Sequence, residues 1–291
     1  MIKNNLVIRL GLVLIFILLI PILPIIIIFS GRTSPEYVMY GTLNVNVKGS
    51  LSFFEVYYRF LNNLISFDLG NSISTNQPVI DEINIALNNS FLIIVIAIIF
   101  TLVLGPLFSY LKTNFKIFNN YIKKIEFIFY IPIIVFTYLF IFFLDNLGLN
   151  ILGNLKFILA GIILSIYPTF VVFSSLTDLT IKLKKTNIFN NYVSLGFHPN
   201  KILMKYFRKF YLIEILSYLE NLIVYMFGFI FFVETPLGIN GFGYKFVLAI
   251  QRYDYPLIIG LCIFSFLFFS ILNLLIESIK SVIDPRTLKN E

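Results

Sequence analysis

From Leu10 to Phe29 the chain carries no charged residue, and comparable apolar runs recur five more times. A hydrocarbon core of roughly 30 Å is crossed by about 20 helical residues, each rising about 1.5 Å. The runs predict membrane-spanning helices at about 10–29, 88–111, 127–144, 157–177, 213–233 and 256–279. Ile83–Leu111, Phe127–Leu144 and Phe157–Thr177 hold no charge at all, whereas Glu220 interrupts the fifth apolar run, Ile215–Val233. A soluble domain could not hide this much apolar surface: 58% of the 291 residues are hydrophobic and only 13% are charged. The fold class that follows is an all-α integral membrane protein. No small-x-small cleavage pattern follows the first run at Ser30-Gly31-Arg32-Thr33, so it reads as a retained anchor.

The connecting segments fix direction. With the N-terminus inside, sixteen of the 22 Lys and Arg fall in inner segments, among them Lys112, Lys182, Lys184, Lys185, Lys201, Lys205, Arg208 and Lys209. Arg32, Lys48, Arg59, Lys156, Lys245 and Arg252 remain outside. That asymmetry places both termini in the cytoplasm and makes the net charge of +7 a topology signal, not a nucleic-acid patch. One Cys and one His cannot build a disulfide framework or a His/Cys metal cage. No G-x-x-x-x-G-K-[ST] loop, nucleophile elbow or soluble acidic pair occurs, so the chain offers no enzyme site. Energy for uphill transport must enter from an ion gradient or from a separate ATPase.

Three connecting segments are distinctive. In the outer segment 31–87, Phe53, Phe54, Tyr57, Phe60, Leu61 and Leu64 recur at helical spacing, which predicts an amphipathic helix on the outer surface. Phe67–Ser72 reads as a turn, and Asn76-Gln77-Pro78 as a helix start with Asp81 and Glu82 near its positive end. The inner loop 178–211 carries Ile188, Phe189, Tyr192, Val193 and Leu195, then breaks at Gly196, and Pro199 opens a second short helix. Two readings stand for this loop: a basic surface resting on anionic lipid, or a docking helix for a cytoplasmic partner. The third segment, Glu234-Thr235-Pro236-Leu237-Gly238-Ile239-Asn240-Gly241-Phe242-Gly243, is either an ordinary glycine turn or a re-entrant element lining a path.

The last third of the chain resembles the permease subunits of the dipeptide, oligopeptide and nickel ABC importers. The resemblance is carried by Glu234-Thr235, Gly241-Phe242-Gly243, Ala249-Ile250, Asp254-Tyr255-Pro256, Asn273-Leu274, Glu277 and Asp284-Pro285-Arg286, in family order. Asp68-Leu69-Gly70-Asn71-Ser72 and Pro78-Val79 match a second block that family members carry before span two. The chain departs from the family in the inner loop, where Asn190, Asn191, Tyr192 and Ser194 replace small or charged residues, at Asn240, and at Glu214, where a Pro usually opens span five.

This resemblance implies a type I ABC importer permease fold over residues 1–291 as a single transmembrane domain in the cell membrane. It implies a second permease paired as a heterodimer, two cytoplasmic ATPases that use the ATP, and an external substrate-binding protein or lipoprotein. The chain itself would bind no cofactor, metal or nucleic acid; membrane lipid is its surroundings. A helix at about Thr186–Leu195, closed by Gly196, would sit in an ATPase groove, and Glu234, Gly241 and Gly243 would form an outer gate or turn. Peptide and nickel cargoes both remain open, as do an ion-coupled transporter titrating Glu220 and a non-transporting scaffold. Glu220 either lines the path or glues helices through a hydrogen bond. Arg252 and Asp254 read as interface anchors of span six or as a seat for the delivering protein, Cys262 as a small buried hydrophobe, and His198 as a solvated loop residue.

The charge distribution makes a direct prediction. A single cysteine at Asn190→Cys, in a Cys262→Ala background, should react with a membrane-impermeant maleimide only after intact cells are permeabilised. Labelling of intact cells at the same rate would reverse the assigned direction.

Overall fold

The computed structural model describes residues 15, 18–22, 26, 52–66, 68–115, 118, 121, 129, 131–146, 148 and 153–283, with the side chains of Val56, Glu220, Asn273, Glu277 and 280–283 excepted. Most of the first expected span, and all of the third before Ile131 except Phe129, lie outside the described residues. Among those described, all named elements are helices: α1 Phe53–Ile65, α2 Val79–Asn114, α3 Ile133–Asn146, α4 Leu155–Lys184, α5 Asn187–Ser194, α6 Pro199–Tyr206, α7 Arg208–Phe229, α8 Phe231–Leu237, α9 Phe242–Gln251 and α10 Tyr255–Ile283. The physical reason is that lipid offers backbone N–H and C=O groups no partners, so each segment must satisfy its own.

Among the described residues, four stretches are long and apolar enough to cross a membrane: Val79–Asn114, Leu155–Lys184, Arg208–Leu237 and Tyr255–Ile276. Ile133–Asn146 is apolar but shorter. The chain is therefore a multi-pass membrane protein. The helices outrun their apolar cores. α2 begins at Val79, inside the expected outer segment, and α4 continues to Lys184, inside the expected inner loop. Apolar length marks where lipid lies, whereas a helix ends only where its terminal groups find other partners.

The chain divides into two compact units. The first holds residues up to Ser90 together with Asn240–Leu272. Here α1 starts with a reciprocal capping box, in which Glu55 N–H donates to Ser52 Oγ at 3.4 Å and Ser52 N–H donates to Glu55 Oε2 at 2.9 Å. α1 buries Phe60 against Ile259 and Ile263 of α10, with Tyr57 and Leu64 alongside. Tyr57 donates its hydroxyl to the carbonyl of Leu18 at 2.8 Å. Phe54, Tyr58 and Ile65 stay exposed on the neighbouring face.

The second unit holds Phe91–Ile239 and the chain from Asn273. Within it α2 and α4 run parallel at close approach. A Cβ on Gly161 would lie 2.4 Å from Cγ2 of Ile96, and one on Gly105 would lie 2.8 Å from Cγ1 of Val172. Thr177 Oγ1 donates to Ser109 Oγ at 3.2 Å further along the same seam. Val172 and Leu176 of α4 also pack on Leu222 of α7. Ser175 donates its hydroxyl to Glu214, so the carboxylate that stands where relatives open span five with Pro is engaged by α4.

The seam predicts a contrast between two glycines. Gly161→Ala should cost about 1–3 kcal/mol through overpacking against Ile96 and the Ile93 carbonyl. Gly228→Ala meets open space and should gain up to about 1 kcal/mol from helix propensity. Thermal unfolding of the purified variants checks the order, and equal midpoints would refute the close approach.

Candidate functional site

The inner platform is built from α5 and α6. Thr186 caps α5, its Oγ1 accepting from Phe189 N–H at 3.3 Å. The helix closes in a left-handed turn at Gly196, φ +85°, where Gly196 N–H reaches Val193 O at 2.9 Å and Phe197 N–H reaches Tyr192 O at 3.2 Å. This is the paired hydrogen bonding of a Schellman ending, and the rings of Phe197 and Tyr192 meet edge-on at 5.9 Å as that motif favours. Empty space surrounds the missing Cβ, so Gly196 is demanded by backbone conformation rather than by room. His198 was expected as a solvated loop residue. It is exposed, but it caps α6, with Nδ1 accepting from Asn200 N–H at 3.4 Å ahead of Pro199 in the first turn.

The platform separates the five apolar residues of the predicted helix into two sets. Phe189 is buried with Leu183, Ile202, Leu203 and Phe207, and half-buried Tyr192 packs on the same cluster. Ile188, Val193 and Leu195 are 60%, 41% and 73% exposed. An eight-residue helix cannot hold itself together in water. Phe189 and Tyr192 fasten it, leaving three apolar side chains facing outward.

A second assembly lies in the first unit. Asp254 is fully buried. Its Oδ1 accepts from Leu257 N–H at 3.4 Å and so caps α10, while Pro256 in the first turn has no N–H to lose. Its Oδ2 accepts from Ser72 Oγ at 2.5 Å, Ser74 N–H at 3.0 Å and Ser74 Oγ at 2.9 Å. The Asp68–Pro78 loop is shaped to deliver those donors. Asp68 Oδ1 accepts from Gly70 N–H at 2.9 Å, Gly70 adopts φ +77°, and Val79 N–H returns to Gly70 O at 2.9 Å. Two blocks far apart in the chain thus meet at one carboxylate. Burial leaves Asp254 no surface with which to seat a delivering protein; Arg252 is exposed.

The glycine-rich segment resolves into a helix–turn–helix. In the second unit α8 ends at Gly238 in a left-handed turn, φ +60°, and Glu234 is fully buried. In the first unit Gly241 precedes α9, and Gly243 is buried within it. Ser90 Oγ accepts from Phe242 N–H at 2.6 Å, and Asn89 Nδ2 donates to Asn240 O at 2.8 Å. Lys245 forms a largely buried ion pair with Glu82. Ser74, Asn89 and Ser90 carry no periodic signal, so sequence reasoning missed them; Ser72 was visible only as part of the block that resembles the family. Glu220 falls on α7 and Asn273 and Glu277 on α10, but their side chains lie outside the described residues, as do Asp284, Pro285 and Arg286.

Within the second unit a cavity of about 620 Å³ opens between α3, α4, α7 and α8. Aromatic rings dominate it, including Phe136, Tyr167, Tyr225, Phe229 and Phe232, and no lining residue is charged. Tyr167 and Tyr225 approach ring to ring at 4.4 Å, and Tyr225 stacks on Phe229 at 4.5 Å.

Comparison with known proteins gives consistent matches. Residues 123–289 match the family model described as binding-protein-dependent transport system inner membrane component. The chain is 25% identical over 242 residues to the dipeptide transport system permease protein DppB of Bacillus subtilis (strain 168), covering 79% of this chain and 78% of that protein. It is 24% identical over 237 residues to the nickel import system permease protein NikB of Staphylococcus aureus (strain MRSA252), covering 79% and 71% respectively.

The Asp254 assembly makes a stability prediction. Asp254→Ala leaves several buried donors without an acceptor and should cost about 2–4 kcal/mol, seen as a lowered unfolding midpoint. The double change Ser72→Ala with Ser74→Ala in that background should cost little more. Full additivity of the two losses would show that the carboxylate and serines act independently.

Proposed function

The chain belongs to the inner membrane components of binding-protein-dependent transport systems and is an ABC importer permease; from that premise we propose that its cargo is a di- or oligopeptide. It pairs with a second permease in the plasma membrane, receives substrate from an external binding protein or lipoprotein, and is driven by two cytoplasmic ATPase subunits. It crosses the membrane about six times with both termini inside, and binds no cofactor of its own. ATP is spent by the partners.

The observation that carries this reading is the two-faced α5 helix. Ile188 and Leu195, two turns apart on one side of the helix, form an exposed apolar ridge that suits a groove on a partner, the recurrent way an amphipathic helix is held. Phe189, on the inner face, touches the cluster formed by Leu183 at the end of α4 and Phe207 at the start of α7. A load applied to the ridge therefore passes through one buried ring to two long helices. ATP-driven closure of the partners would shift those helices as a body, exchanging outward and inward arrangements.

Support for a peptide cargo comes from the aromatic cavity. It offers flat apolar faces for varied side chains and two phenol hydroxyls for amides, with no fixed charge to select one ion. Nickel or a metal chelate is the second reading, favoured by the similarity to the nickel permease.

Uptake in cells deleted for this gene tests both parts. Restoring the chain should restore accumulation of labelled dipeptides and leave nickel accumulation unchanged. Ile188→Ser with Leu195→Ser should reduce dipeptide uptake about tenfold or more at normal membrane abundance, as loss of interface anchors does. Restored nickel uptake alone would overturn the cargo, and full uptake by the double variant would overturn the role of the ridge.

A further inference from the structure

A second cavity in the same unit, about 270 Å³, lies where the C-terminal ends of α2 and α4 meet α6 and the start of α7. Its walls are largely apolar, with Pro106, Leu176, Leu203, Met204 and Ile215 among them. Hydroxyls and amides also line it. Tyr211 and Thr180 share a hydrogen bond of 2.8 Å, and Asn200 Nδ2 donates to Tyr110 OH at 3.3 Å. The only ionisable group of definite charge in the lining is Arg208, which makes no ion pair among the described residues. Lys184 stands beside the rim, with Nζ 3.4 Å from the Thr113 carbonyl, and Lys205 and Lys209 flank Arg208 in sequence. No acid lines the cavity.

We infer that this cavity binds an anionic phospholipid, with the headgroup phosphate on Arg208 and an acyl chain along the Leu176–Ile215 wall. Depth and charge favour this occupant. The apolar run of α2 stops at Lys112, that of α4 at Asp178, and α7 begins with Arg208-Lys209. Arg208, Asn200 and Asn114 therefore lie at headgroup level with apolar walls toward the hydrocarbon, the arrangement a lipid presents in reverse. A free phosphate would use the guanidinium and leave the apolar wall without a function. Leu203 is shared between this cavity and the cluster that holds Phe189. A lipid seated here braces the floor of the α5 platform, so anionic lipid content would tune how firmly that platform is held. The inference rests on membrane residence and not on the cargo.

The absence of Trp provides the assay. Met204→Trp places a sole tryptophan on the cavity wall of the full chain, at a residue that is 71% exposed and tolerant of bulk. The chain is reconstituted in bilayers of phosphatidylcholine, into which either phosphatidylglycerol or phosphatidylcholine with brominated chains is titrated. Brominated phosphatidylglycerol should quench at about five-fold lower mole fraction than brominated phosphatidylcholine, the preference expected for one cation at a membrane surface. Arg208→Gln should erase the preference while Lys209→Gln retains most of it. Equal quenching by the two lipids would overturn the inference. So would equal loss in both variants, which would indicate diffuse surface charge, or release of the bound lipid by millimolar inorganic phosphate, which would assign the site to a free anion. An unchanged helical circular dichroism spectrum shows that each variant is folded.

Discussion

Peptide groups in a hydrocarbon layer have no solvent partners, and this constraint shapes both the spans and their ends. It forces continuous helices, and it moves every unsatisfied N–H and C=O to the places where helices stop. Those stops are where this chain invests specific residues. Thr186 and His198 cap α5 and α6, Asp254 caps α10, and α5, α8 and α9 are among the helices that end in left-handed turns, at Gly196, Gly238 and Tyr253. At each left-handed turn the following N–H reaches back five residues: Phe197 to Tyr192, Ile239 to Glu234, and Asp254 to Ala249. The repeated device ends a helix sharply enough for another to begin within a few residues.

Legibility in the sequence followed the range of the interactions concerned. Apolar runs report local burial in lipid, so the long helices could be read directly. The α1 helix, the α5 helix, its glycine and the Pro199 start depend on residues within a few positions of one another, and they too were visible. The start of α2 was visible too, at Asn76-Gln77-Pro78, whereas the far end of α4 was not, because a helix stops on caps and contacts and not where hydropathy falls. The Ser72–Asp254 and Glu82–Lys245 pairs link segments more than 160 residues apart. No period or spacing encodes them. The only trace was that both halves of the first pair lie in stretches that resemble one family.

The Asp254 assembly and the α5 platform are built differently. Among the described residues, the non-glycine positions with positive φ are Asn76 and Tyr253, each at +56°. Both flank the segments that Asp254 ties together. A left-handed tyrosine costs about 1–2 kcal/mol and persists only where neighbouring bonds over-determine it. Five hydrogen bonds converge there, four to the carboxylate and one from its own N–H. This part of the first unit is a fixed joint.

The α5 platform has the opposite design. Its turn uses glycine, which adopts the left-handed conformation without strain, and nothing crowds that position. Its anchorage is a few apolar contacts around Phe189 rather than a converging set of hydrogen bonds. Apolar contacts are non-directional, so the short helix can tilt on Phe189 and Tyr192 without breaking a geometrically exacting bond. The coupling role proposed for this helix calls for that latitude. Of the four departures from the family in this loop, Asn190, Asn191 and Ser194 fall on exposed positions, whereas Tyr192 packs on the Phe189 cluster. Three therefore alter the surface of the platform, and the fourth adds an aromatic ring to its anchor.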